Sequence, residues 1–78
     1  FKVENAYKEI RNSRELMTYK MELANRMYHD GSADYQDNFY EADIAMSNFE
    51  KMVAEKYGLT DEEIEELDDM LEIDKESY

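Results

Sequence analysis

The feature that most constrains this chain is the scarcity of residues that end helices. Its 78 residues include no proline and only two glycines. Strands and their turns need more prolines and glycines than this, whereas long helices do not. Glutamate, methionine, lysine, leucine and alanine, which favour helices, are common throughout. The sequence therefore predicts an all-α fold, in one domain that covers residues 1–78.

Two long apolar stripes predict an antiparallel helical hairpin, with helices at about residues 2–29 and 33–57. In each helix, apolar side chains recur at alternating steps of four and three residues. The stripes match in register if the chain folds back at Gly31, with Ser32 as the N-cap of the second helix. The first stripe comprises Val3, Tyr7, Ile10, Met17, Met21, Ala24 and Tyr28, interrupted by Arg14, and the second comprises Tyr35, Phe39, Ala42, Met46, Phe49 and Val53.

A short, acidic third helix is predicted at about residues 61–72. Gly58 suits the left-handed position that ends a helix, and Thr60 with Glu63 has the spacing of a capping box. Residues 74–78 are expected to fray. The predicted fold is thus a three-helix bundle, whose last helix is too short to cover the end of the hairpin near Gly31.

Acidic side chains dominate the charge of the chain. Aspartate and glutamate number 21, against nine lysines and arginines, so that the net charge is −12. Such a chain is repelled by nucleic acids and by anionic membranes, and attracts basic protein surfaces. Carboxylates follow one another on the outward faces of the second and third predicted helices, about 5–6 Å apart. They are Asp34, Asp37 and Glu41 in the first row, and Glu62, Glu65, Glu66, Asp69 and Glu72 in the second.

Rows of carboxylates at this spacing can imitate the phosphates of a nucleic acid, which proteins bind with lysine and arginine. In composition, the chain resembles phage-borne inhibitors of restriction and CRISPR nucleases, which are small, helical, acidic and free of cysteine. The resemblance implies an inhibitor that occupies the basic surface of a nucleic-acid-binding protein. In this interpretation the two acidic rows make the charge contacts, and Tyr40 and Ile44 supply apolar anchors. The simpler interpretation is that the acidic faces only keep the chain in solution.

The alternative hypothesis is a structural or adaptor module that forms a homodimer, with acidity serving solubility alone. Roughly opposite the predicted hairpin stripe, the first helix carries a second set of apolar residues. An exposed apolar set of this kind is typical of an interface. The predicted self-association residues are Leu16, Tyr19, Leu23 and Met27.

An enzyme is not expected, because no catalytic constellation is evident in the sequence. The chain has no cysteine and a single histidine, His29, at the predicted end of the first helix. The segment around Gly31 lacks the ligand spacing of a calcium-binding loop, and no glycine-rich phosphate loop occurs. We therefore expect no cofactor and no metal. The lack of cysteine agrees with a cytoplasmic location, and the start at Phe1 suggests a piece of a longer protein.

Overall fold

The computed structural model describes residues 1–29 and 33–76, and these form four helices without a strand. Helix α1 spans Lys2–Arg11, α2 spans Arg14–Tyr28, α3 spans Ala33–Tyr57 and α4 spans Asp61–Glu76. The all-α prediction is confirmed. The prediction of three helices is wrong, because the first predicted helix is divided in two. The predicted turn at Asp30, Gly31 and Ser32 lies outside the described residues.

The division between α1 and α2 comes from a cap inside the predicted first helix. The backbone of Ser13 is extended (φ −81°, ψ 154°), and its Oγ accepts a hydrogen bond from the Leu16 N–H at 3.1 Å. The Ser13 hydroxyl also donates to the Ile10 carbonyl, so that one side chain closes α1 and opens α2. Serine is among the residues that best satisfy the free N–H groups at a helix start.

The break turns α2 about its own axis relative to the prediction. Leu16 is buried in the core, and Tyr19 packs against the core from its edge. Met17, Met21 and Tyr28, which the sequence predicts to face the second helix, are instead 71%, 55% and 89% exposed. The face of α2 that packs against α3 is therefore the one opposite to the predicted face.

Ring contacts show the register of α2 against α3. The Tyr19 and Phe39 rings lie 5.4 Å apart, and the His29 ring stacks on Tyr35 at 4.1 Å. Arg26 also covers the Phe39 ring, with its guanidinium carbon 4.8 Å from the ring centre, which is a cation–π contact.

The junction between α3 and α4 agrees with its prediction in detail. Gly58 has a positive φ of 64°, and the Leu59 N–H donates to the Ala54 carbonyl while the Gly58 N–H donates to that of Glu55. These two bonds define a Schellman motif. Thr60 and Glu63 then exchange backbone and side-chain hydrogen bonds at 3.0 and 3.3 Å, which completes the capping box.

Helix α4 is longer than predicted, because contacts to other helices hold its last turn. The Tyr7 hydroxyl donates to the Asp74 carboxylate, and Lys75 Nζ lies 3.0 Å from Glu50 Oε1. Helix α4 thus continues to Glu76 rather than ending at about residue 72, and residues 77 and 78 lie outside the described residues. The core beneath α4 consists of Val3, Ala6, Ile10, Leu16, Met46, Val53, Leu67 and Leu71.

We expect Ser13→Ala to lower the free energy of unfolding by about 1 kcal/mol, since the α2 start loses its side-chain acceptor. Urea denaturation followed by circular dichroism measures the change. Ser47→Ala is the matched control, because Ser47 is exposed within α3. That control should change stability by no more than about 0.5 kcal/mol. Equal effects of the two substitutions would contradict a capping role for Ser13.

Candidate protein-binding surfaces

The α4 acidic row is formed by Glu62, Glu65, Glu66, Asp69 and Glu72. All five side chains are exposed, and they point away from Leu67 and Leu71, which anchor α4 in the core. The neighbouring Glu63 is engaged in the capping box instead. The backbone N–H of Thr60 holds the pKa of Glu63 below its usual value, since it donates to the charged carboxylate.

The α3 acidic row is formed by Asp34, Asp37 and Glu41, which are also exposed. Tyr40 and Ile44 lie on the same outward side of α3, with exposures of 60% and 61%. All ten residues predicted to contact a basic partner thus lie on the surface of the described structure. In this arrangement two apolar side chains stand among three carboxylates.

The two acidic rows lie on different helices. The last turn of α4 reaches α3 at Glu50, where Lys75 binds. Glu41 is nine residues before Glu50 in α3, which places it about 13 Å farther along the helix. The two rows are therefore on separate helices, and a partner that contacts both must reach from α4 to the first half of α3.

The ion pairs among the described residues involve neither acidic row. Lys56 Nζ lies 2.8 Å from Glu9 Oε1, which joins α3 to α1. The Tyr57 hydroxyl donates to the same carboxylate at 2.9 Å. Lys56 and Tyr57 together hold the pKa of Glu9 below its usual value. The other pair, between Lys75 and Glu50, joins α4 to α3. The bases in these pairs neutralise carboxylates between helices and leave both acidic rows uncompensated.

Glu50 is the most enclosed carboxylate that is paired with a base. Burial raises its pKa, and the ammonium group of Lys75 partly offsets that rise. Lys75 also lies over the Tyr19 ring, 5.3 Å from its centre. Glu50 therefore links α4 to the α2–α3 hairpin.

The predicted self-association surface is largely inside the fold. Leu16 is only 3% exposed, and Tyr19 and Leu23 are half-buried between α2 and its neighbours. Of the four predicted residues, Met27 alone is largely exposed, at 59%. The prediction placed these side chains on the outside because it continued one helix through Ser13. The corresponding outer surface of α2 carries Met17 and Met21.

An open groove of about 370 Å³ runs between α3 and α4, with Ala54, Leu59, Ile64 and Leu67 along its apolar floor.

Within the described part of the chain, no cluster of three or more histidine, aspartate or glutamate side chains is arranged to hold a metal ion. The described helices include none with the length and apolar character needed to cross a membrane.

Comparison with protein families, with curated proteins and with solved structures finds no match for this chain. Functional inference therefore depends on the surfaces described above.

The hydrogen bond from Tyr7 to Asp74 makes the stability of the fold sensitive to alkaline pH. The Asp74 carboxylate is the main cause of the raised pKa of Tyr7, and partial burial adds to it. Because the pKa of Tyr7 in the folded chain lies above its unfolded value of about 10, the hydrogen bond stabilises the fold in full below pH 10. That contribution is lost as pH rises through the folded pKa. Wild type should exceed Tyr7→Phe in stability at pH 8, and the difference should close above pH 10.

Urea denaturation between about pH 8 and 11 measures this difference. Tyr28→Phe is the control, since Tyr28 is 89% exposed on α2 and should leave the pH dependence of wild type unchanged. A constant difference between wild type and Tyr7→Phe across this range would contradict the proposed contribution of the hydrogen bond.

Proposed function

We propose that this chain is a non-enzymatic protein-binding module that inhibits a target by occupying its basic, nucleic-acid-binding surface. The proposed mode of action is that of phage-type anti-restriction and anti-CRISPR inhibitors that imitate DNA. The proposal depends on two properties of the acidic rows, namely their exposure and their lack of ion pairs. All eight carboxylates are exposed, and among the described residues none of them forms an ion pair.

The spacing of the α4 acidic row supports imitation of a phosphate backbone. Glu62, Glu66 and Asp69 recur at steps of four and three residues, so that their side chains lie about 5–6 Å apart along one side of the helix. A helix fixes these positions in advance, which lowers the entropy cost of binding. Lysine and arginine side chains that normally bind phosphates can therefore bind this row.

The α3 acidic row offers a second kind of contact. Tyr40 and Ile44 can be buried by a partner while Asp34, Asp37 and Glu41 pair with its bases. Apolar anchors surrounded by charged groups are a common arrangement in protein interfaces, where the anchors add affinity and the charges favour a particular partner. We propose that this row contributes selectivity among basic surfaces.

Action through binding rather than catalysis is also part of the proposal. The one histidine, His29, stacks on Tyr35 at the end of α2, where it caps the helix. Nucleophilic or general acid–base catalysis requires a base aligned with a second reactive group in a pocket. The described contacts of His29 are with an aromatic ring and with its own helix.

Charge reversal of the α4 acidic row tests the proposal. The variant Glu62→Lys/Glu65→Lys/Glu66→Lys/Asp69→Lys is compared with Glu4→Lys/Glu55→Lys/Asp68→Lys/Glu76→Lys, which changes net charge equally at exposed positions outside the rows. Binding is measured by surface plasmon resonance on an immobilised CRISPR effector nuclease and on an immobilised restriction endonuclease. Wild type should bind one of them, and duplex DNA should displace it.

The row variant should lose at least about 100-fold in affinity, and the control much less, because only the row meets the bases of the target. Wild-type binding should also weaken steeply between about 50 and 200 mM salt. Binding that persists after reversal of the row, without dependence on salt, would contradict charge imitation.

A further inference from the structure

The link between α1 and α2 is two residues long, and one of its backbone angles differs strongly from that of a helix. Asn12 lies beside the helical region, with φ −93° and ψ 7°. Ser13 has φ −81° and ψ 154°, whereas a helical residue has a ψ of about −42°. Rotation about the ψ bond of Ser13, with a small adjustment at Asn12, would therefore join α1 and α2 into one straight helix.

The sequence around this link also suits a straight helix. In the bent form, the first N–H groups of α2 have no helical carbonyl before them, whereas a joined helix would supply one to each. Arg11 and Glu15 are four residues apart, which is the spacing of an ion pair along a helix. The ion pairs of the described residues do not include this one, because the helix is broken between its two members. The chain thus carries features of two shapes, one bent and one straight.

The contacts of α1 in the bent form are mainly with α3 and α4. Three of its side chains are buried in the core, and the Tyr7 hydroxyl donates to Asp74 of α4. Lys56, near the end of α3, donates to Glu9 at 2.8 Å. Helix α1 carries three bases and two acids, whereas α4 carries ten acids and one base, so charge also favours the contact. The place that α1 occupies would accept the identical α1 of a second copy with the same contacts.

We propose that the link at Asn12 and Ser13 is a hinge through which two copies of this chain exchange α1. In the exchanged dimer both links straighten, and each α1 packs against α3 and α4 of the second copy. The contacts of α1 with α3 and α4 are kept, so that the monomer and the dimer differ chiefly at the hinge. The monomer keeps the Ser13 cap, while the dimer gains the unbroken hydrogen bonds of one helix. Protein concentration therefore shifts the balance between them.

Straightening also changes the surroundings of the two exposed methionines of α2. Met17 and Met21 are 71% and 55% exposed in the bent form. In a straight helix, both lie within about 20° of Ile10, as does Val3. They then continue the stripe with which α1 packs on the second copy. The exchange therefore places Met17 and Met21 on the side of the helix that faces the second copy.

The variant Arg14→Pro tests the hinge, because proline at this position is compatible with the bent form alone. Proline is well tolerated as the first residue of a helix, and it holds the preceding residue near the extended ψ that Ser13 has. In a straight helix its ring would clash with the Ile10 carbonyl. Arg14→Ala is the matched control, since it removes the same charge and permits both forms. Dimerisation of Arg14→Pro should be at least about 100-fold weaker than that of Arg14→Ala.

Sedimentation equilibrium of the full chain measures dimerisation from about 10 μM to 1 mM protein. Salt at about 300 mM screens the repulsion between two chains of net charge −12. The dimer fraction of wild type should rise with concentration. Ser13→Ala should strengthen dimerisation by about fivefold for each of the two hinges, because it removes the cap that only the bent form uses.

An equal mixture of Glu9→Lys and Lys56→Glu shows whether α1 itself is exchanged. Each variant alone places like charges together in its monomer and in its own dimer. In a mixed dimer formed by exchange, both copies of α1 meet an opposite charge on the other chain. Native mass spectrometry with one variant isotopically labelled should find the mixed dimer at least about threefold above its statistical share at low salt.

Circular dichroism shows whether the variants keep the helical content of wild type. Equal dimerisation of Arg14→Pro and Arg14→Ala would overturn the proposal. A mixed dimer at its statistical share would overturn it too, and so would a monomeric Ser13→Ala at about 1 mM. The inhibitor hypothesis is tested independently, because these substitutions leave both acidic rows intact.

Discussion

The hydrogen bonds of Ser13 determine which side of α2 enters the core, and the rest of the structure depends on that choice. On an uninterrupted helix, Met17 would lie within about 20° of Ile10, whereas Leu16 would lie about 120° away. The cap at Ser13 reverses this relation, so that Ile10 and Leu16 share one core. The contact of Tyr19 with Phe39 and the exposure of Met17 both follow from the same local break.

The sequence predicted α3 and the start of α4 well because local signals mark both ends of the junction. Gly58, Thr60 and Glu63 each have a specific structural role there, and that role depends on neighbours within a few residues. The division at Asn12 and Ser13 was not predicted, since the helical four-three spacing continues through it, with Arg14 as its one polar member. Both sides of α2 are apolar, so periodicity alone cannot decide between them. The last turn of α4 depends on Tyr7 and Glu50, which are distant in sequence and leave no local pattern.

The exposed positions of the predicted acidic residues followed from helical spacing once α3 and α4 were correctly placed. That these carboxylates form no ion pair with a base could be anticipated only in part, because it depends on which other groups the few lysines and arginines contact. Lys56 and Lys75 bind carboxylates between helices, and Arg26 covers an aromatic ring. The outward position predicted for Leu16, Tyr19 and Leu23 was wrong for the same reason as the first helix, since it assumed continuity through Ser13.

The central claim, that α2 presents Met17 and Met21 to solvent and Leu16 to the core, can be tested directly by thiol labelling. The chain has no native cysteine, so single variants at these positions report each site alone. At about 5 μM protein, Met17→Cys and Met21→Cys should react with a maleimide as fast as an unfolded control, because both positions are exposed. Leu16→Cys should react at least 100-fold more slowly, because labelling requires its buried site to open. Rapid labelling of Leu16→Cys together with protection of Met17→Cys would contradict the account.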